Sequence, residues 1–261
     1  MRDRVAALLL ALALALPAAA PADIVLDAVP GGLTEIPLVP LEGPQPTAYF
    51  GQRRLLVTER ASSWVGLVGL PLSLVPGGYL IRINPDAGED MEVRRFTVFP
   101  RRTGSAGAVT LPGPAYEPDQ SALAWRPELD AGLPLAAPVR YPPRPVFGRH
   151  WQSPGSAGQY TDFVVFDLLT DSAVRSPGAG LVAEVAQTDA GTYLLLDHGM
   201  GLFTRLGPLT ETRRSAGDRV EAGAVVARVY LAEDEATRVL YFSVYLGGIA
   251  VNPALVTDVK H

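Results

Sequence analysis

The stretch 239-VLYFSVYLGG-248 reads as a half-buried β-strand that runs into a double-glycine turn. Side-chain character changes every second residue, the period of a strand with one buried face. The same signal recurs upstream, so strands are expected at 162–168, 181–187, 192–197, 202–206, 225–230 and 239–246. Gly-rich turns separate them: 176-SPGAG-180, 189-DAG-191, 198-HGMG-201 and 216-AGDRVEAG-223. No apolar spacing of helical period survives over three turns, and no repeat or coiled-coil pattern is present.

The first part of the chain carries a second set of strand signals: 48-AYFGQRRLLVTE-59, 64-WVGLVGLPL-72, 79-YLIRINP-85 and 91-MEVRRFTVFP-100. Turns are expected at Pro76-Gly77-Gly78, where Pro presets φ and Gly accepts φ > 0, and at Asp86 to Asp90. Several strands at this spacing suggest a sandwich. Prolines 37 and 40 suit an edge strand, which can do without their missing donors. Residues 101–145 change character. Prolines crowd this segment, so it reads as an extended, stiffened connector, and 119-DQSALAWRPEL-129 has room for one or two helical turns before Pro127.

The expected fold class is therefore all-β: a small N-terminal β-sandwich-like domain followed by a β-sheet core. The boundaries are a targeting segment at 1–22, a β domain at 23–100, the connector at 101–145 and the core domain at 146–261. Arg2 and Arg4 precede an apolar run from Val5 to Leu16 that is too short for the ~20 residues a bilayer demands. Ala20-Pro21-Ala22 then fits a small-residue cleavage site. The expectation is a secreted or periplasmic protein that does not span a membrane after cleavage.

Composition narrows the chemistry. A net charge of −5 offers no basic field for nucleic acid. The absence of cysteine removes disulfides, thiol nucleophiles, thiolate metal sites and a lipidated N-terminal cysteine. No G-x-S-x-G occurs, and no Gly-rich loop opens a helix to cradle phosphate. Ser153, Ser156 and Ser172 lack a convincing His–Asp partner in spacing. Glu233-Asp234-Glu235 reads as a solvated turn.

Four blocks, in order, resemble the LytM/lysostaphin-type zinc endopeptidases, which cut peptide cross-links in bacterial cell walls on a small all-β core. They are 174-VRSPGAGLVAEV-185, 192-TYLLLDHGMGLFTRLGPLT-210, 217-GDRVEAGAVVARV-229 and 239-VLYFSVYLGGIAVNPALV-256. Upstream, 67-LVGLPLSLVPGGYLI-81 is similar to a signature of the β domain that precedes the core in one subgroup. In that family a His-x-x-x-Asp pair and the second His of a His-x-His hold zinc. The first His of that motif and a further His handle protons and charge. Carried over position by position, the first pair falls on Phe163 and Asp167, the His-x-His on Val239 and Tyr241, and the further His on Pro208.

Only Asp167 keeps a ligand chemistry, and catalytic zinc normally takes three protein ligands. Of the three histidines, His261 ends the chain, His198 lies in a turn motif and His150 in a loop leading toward the groove. The resemblance implies a catalytically inactive pseudo-peptidase without a metal cofactor. Its degenerate groove, with Phe163, Asp167, Pro208, Val239 and Tyr241 as candidates, would bind peptidoglycan peptide or a cell-wall hydrolase as scaffold or regulator. Two alternatives stay open: an active zinc metalloendopeptidase with a rearranged site using His150, Asp167 and His198, and a purely structural periplasmic β protein.

Overall fold

The computed structural model describes residues 28–60, 62–84, 90–101, 114–126, 150–152, 163–168, 171–231 and 238–253. The targeting segment, most of the Asp86–Asp90 turn, most of the connector, the Glu233–Glu235 run and His261 lie outside them. Regular structure among the described residues is all strand, with no α-helix. No described helix is long and apolar enough to cross a membrane.

The N-terminal strands are β1 (Leu33–Pro40), β2 (Thr47–Phe50), β3 (Arg53–Arg54), β4 (Leu56–Arg60), β5 (Ser63–Gly69), β6 (Gly77–Asn84) and β7 (Glu92–Val98). They form an antiparallel three-stranded sheet, β1-β5-β4, and a four-stranded sheet, β3-β2-β6-β7. Ile36, Leu38, Val57, Val68 and Leu70 pack in one cluster with Ala48, Ile81, Ile83 and Val98. As the prolines require, β1 is an edge strand, and its register with β5 shifts between Pro37 and Pro40. The expected Pro76-Gly77-Gly78 turn is corrected. Both glycines already pair in the β6–β7 ladder, opposite Val98 and Thr97.

From β8 (His150–Gln152) onward the strands are β9 (Val164–Leu168), β10 (Ser172–Arg175), β11 (Gly180–Thr188), β12 (Gly191–Asp197), β13 (Leu202–Leu209), β14 (Arg219–Val220), β15 (Val225–Val229), β16 (Arg238–Leu246) and β17 (Ile249–Val251). Eight of them build one sheet in the order β14-β11-β12-β13-β16-β9-β8, with β17 also paired to β16. β10 and β15 form a separate two-stranded sheet. Val174, Val226 and Val229 from that small sheet join Leu194, Leu206, Leu240, Phe242 and Val244 of the large one in a single apolar cluster.

Strand β5 is buried on both faces, and this joins the two halves of the chain. Val68 belongs to the N-terminal cluster, whereas the next residue inward, Leu67, packs with Leu33 and Leu56 into the cluster of the large sheet. The approach is close. A Cβ on Gly69 would sit 2.8 Å from Val251 Cγ1, so a side chain there would displace β17.

Residues 114–126 are the described part of the connector. The expected helix is here a single turn: Asp119 Oδ1 accepts hydrogen bonds from the Ser121 and Ala122 amides at 2.7 and 2.9 Å, and no helix propagates. Pro118 and Leu123 are buried, so this segment is packed onto the large sheet and is not a free tether.

Because Leu67 fills a core shared by both halves, Leu67→Ala is expected to destabilise the whole protein by about 2–5 kcal/mol. Denaturant unfolding followed by tryptophan fluorescence and far-UV circular dichroism should give one coincident transition at a lower midpoint. Two separated transitions, with only the first moved, would show that the shared core does not couple the halves.

Candidate functional site

Alternation along β16 divides its residues between two environments. Leu240, Phe242 and Val244 enter the apolar cluster, together with Val164, Phe166 and Leu168 of β9. The intervening residues face the other way. In register, Val239 stands opposite Asp167 and Tyr241 opposite Val165, and on the other side of β16, Tyr241 stands opposite Gly207. The Phe163 ring meets the Tyr241 ring edge-on, with centroids 5.6 Å apart and planes at 67°. Pro208 follows Gly207 and is half-buried, while Val239 is 37% exposed. The backbone thus gathers Phe163, Asp167, Pro208, Val239 and Tyr241 at the junction of β9, β16 and β13.

The two histidine candidates part company. His150 stands opposite Asp167 in the β8–β9 register, beside the same junction. His198 is 3% exposed, with Nδ1 2.8 Å from the Ala179 carbonyl and Nε2 2.8 Å from Thr204 Oγ1. Thr204 pairs with Leu196 and Val244, both in the apolar cluster, so His198 is held on the core side of the sheet, away from Tyr241. The set His150, Asp167 and His198 is therefore not assembled.

Do these residues suit zinc? Three of the positions that match the family's ligand and proton-handling frame carry Phe163, Val239 and Pro208, which offer no donor. Tyr241 offers only a phenol, and burial pushes its pKa up, against the deprotonation that a metal ligand needs. Among the described residues no three His, Cys, Asp or Glu side chains converge. The positions do not fit a three-ligand zinc centre.

Beside this junction lies a polar cluster that sequence reading missed. Its centre is Arg205 of β13, 1% exposed. Nη2 donates to Ser243 Oγ at 2.6 Å, while Nη1 reaches the Tyr116 carbonyl at 2.5 Å and Glu117 Oε1 at 2.6 Å. The Tyr245 hydroxyl donates to the other carboxylate oxygen of Glu117, at 2.8 Å. The Tyr116 ring packs on the Tyr193 ring at 5.6 Å, and the Tyr193 hydroxyl accepts from the Ala115 amide at 3.3 Å. Leu123 packs with Leu195, Phe203 and Tyr245, and Trp125 lies 4.3 Å beneath the Arg54 guanidinium. Residues 114–126 therefore form a strap across the face of the large sheet opposite the core. Burial raises the pKa of Tyr116, Tyr193 and Tyr245, so the Tyr245 hydroxyl keeps the proton it donates.

One signal could have exposed this cluster. Arg205 is a lone charge inside the apolar run 202-LFTRLGPL-209, and a charge in a buried strand demands a partner. The partner lies 88 residues upstream in sequence, in a connector with no strand pattern. Gly207 completes the face, since its backbone lies so close to the Tyr193 ring that any Cβ there would collide with it.

A two-sheet N-terminal unit joined to a large antiparallel sheet, with Val239 at the surface of β16, defines an all-β protein. The comparisons agree with this class. The model described as peptidase family M23 matches residues 161–253, and that of the peptidase family M23 N-terminal domain matches residues 27–98. The chain belongs to peptidase family M23. Among solved structures, it is similar in fold to a Pseudomonas aeruginosa protein assigned to peptidase M23, at 24% identity and a TM-score of 0.60, over 88% of this chain and 95% of that one. It is also similar to the catalytic domain of the prophage-encoded M23 protein EnpA of Enterococcus faecalis, at 22% identity and a TM-score of 0.34, over 42% of this chain and 94% of that one. A zinc-containing peptidase of Vibrio cholerae aligns at 21% identity and a TM-score of 0.33, over 43% of this chain and 38% of that one. No curated protein sequence matches.

The burial of His198 has a pH consequence. Desolvation pushes its pKa down from 6.5 to about 4, so the ring is neutral in the folded protein and takes a proton readily only when unfolded. Stability from this group is full above the unfolded value and is lost as pH falls from about 6.5 toward about 4. At 1.36 kcal/mol per pKa unit the loss amounts to about 3 kcal/mol. His198→Gln is expected to flatten that slope in urea titrations across this window. An unchanged slope in the variant would assign the pH dependence to other groups.

Proposed function

We propose that this member of family M23 is a non-catalytic protein of the cell envelope, secreted or periplasmic, which uses the open face of its large sheet to bind peptide as a scaffold or regulator. The partners that fit the family are peptidoglycan peptide or a wall hydrolase. One observation carries the reading: two of the three positions matched to zinc ligands carry the packed Phe163–Tyr241 ring pair, only Asp167 keeping a ligand chemistry, and a matched proton-handling position carries exposed Val239. Replacing a set of ligands by packed rings stabilises a site that would otherwise bury polar groups without partners.

A second reading has a narrower support. His150 and Asp167 stand opposite each other across β8 and β9. Two such residues could hold a metal ion weakly, with the remaining positions left to water. This reading retains a rearranged metallopeptidase, with its dependence on His150.

Metal analysis and activity decide between them. Purified protein is expected to contain no stoichiometric zinc, to leave peptidoglycan cross-links uncut and to keep its melting temperature in chelator, because only a bound metal stabilises by mass action. Stoichiometric zinc that disappears in His150→Ala, with cross-link cleavage, would overturn the non-catalytic reading.

The double change Phe163→His and Tyr241→His tests the frame itself. It places two imidazoles on the matched ligand positions beside Asp167. Zinc titration by calorimetry should detect weak binding at best, since ligands without orienting partners typically lose ~10–100-fold in affinity. No peptidase activity should return, because Val239 and Pro208 leave the proton-handling positions empty. Tight zinc binding with restored cleavage would show that the rest of the catalytic frame is intact.

A further inference from the structure

The strap is held to the sheet by side-chain contacts: a ring on Tyr193, a carboxylate between Arg205 and Tyr245, Leu123 in a small apolar cluster, and the Gln120 amide donating to the Gly248 carbonyl at 3.3 Å. Residues 114–126 pair with no strand, and the polar contacts along the Tyr116-Glu117 step come from side chains of the sheet. The receiving groups are built into β13 and β16 and are buried, whereas the Glu117 side chain is 60% exposed. Both oxygens of that carboxylate are gripped, one by guanidinium and one by phenol. Arg205 is oriented for this by Ser243, which belongs to the sheet and not to the strap. A buried cation with a preset fork, a phenol donor beside it and an aromatic rest one residue away is the chemistry of carboxylate recognition in an extended peptide.

We propose that Arg205, Ser243 and Tyr245 form a carboxylate clamp, with Tyr193 as its aromatic rest, for a segment of another protein carrying an aromatic residue followed by an acidic one, and that the chain's own Tyr116-Glu117 occupies this site until such a segment displaces it. This deepens the peptide-binding reading above and rests on it for biological sense, although the clamp itself requires only the geometry. Because the strap belongs to the same chain, it competes intramolecularly and at a higher effective concentration than a free segment. A partner must therefore exceed the strap's grip, and the unliganded protein keeps the site closed.

The test uses the full chain and a synthetic peptide, acetylated and amidated, with the sequence PAYEPDQ of residues 114–120. Glu117→Gln in the full chain removes the strap's charge but leaves its shape. That variant is expected to bind the labelled peptide at least about tenfold more tightly than the wild-type chain, a step of about 1.4 kcal/mol. The same peptide carrying Glu117→Gln should bind about tenfold more weakly, in keeping with the greater strength of charge-assisted bonds. Tyr245→Phe, added to the Glu117→Gln chain, should weaken the acidic peptide and not the Gln peptide. On binding, amides of 119–126 should exchange with solvent faster as the strap leaves. Equal binding of both peptides, or no binding to the Glu117→Gln chain, overturns the clamp. Should that chain fail to fold, the wild-type chain decides: faster exchange of 119–126 at millimolar acidic peptide supports displacement, and unchanged exchange overturns it. Metal-free, inactive protein that ignores the peptide would sink the clamp and leave the non-catalytic reading standing. Zinc-dependent cleavage would sink that reading whatever the peptide does.

Discussion

The period-two alternation of β16, paired on both sides within the large sheet, is the constraint on which the rest depends. Leu240, Phe242 and Val244 must face the apolar cluster, so Tyr241, Ser243 and Tyr245 must face away. A slip of one residue would exchange the two sets and leave phenols and a hydroxyl in an apolar core. The alignment with β9 and β13 then follows, and with it the meeting of Tyr241 with Phe163 and of Ser243 with Arg205.

The two faces of this sheet solve different problems. On the core side, the imidazole of His198 is neutralised by desolvation and tied to a carbonyl and a hydroxyl, so His198 is a fixed structural group. On the other side, the Arg205 guanidinium is buried almost as deeply as the core leucines. Burying a charge is tolerable only with partners, and both Nη atoms of Arg205 have them while its Nε does not. Ser243 is local, but Glu117 and the Tyr116 carbonyl arrive from the connector. The connector is therefore part of the sheet's electrostatics and not merely a link between halves.

The family frame and the polar cluster are contiguous. Tyr241 stands opposite Gly207, the Gly207 backbone lies against the Tyr193 ring, and that ring supports Tyr116. The Phe163–Tyr241 ring pair and the strap are therefore neighbours on one face of the sheet.

Much of the architecture is legible in the chain because strand periodicity is local. The apolar steps of 192–197, 202–206 and 239–246 and the glycines between them foretell β12, β13, β16 and their turns, and the prolines at 37 and 40 foretell an edge. That Phe163 and Val239 carry no metal-binding group is likewise plain from residue identity. The fate of Gly77 and Gly78 was not, since a ladder to β7 overrides the turn preference of the dipeptide. Nor could sequence separate His198 from His150, because burial and strand register are properties of the assembled sheet. The pairing of Arg205 with Glu117 lies furthest beyond the sequence. An ion pair between residues so distant along the chain has no period or motif to announce it, and only the tertiary structure brings the connector's carboxylate to the strand that buries Arg205.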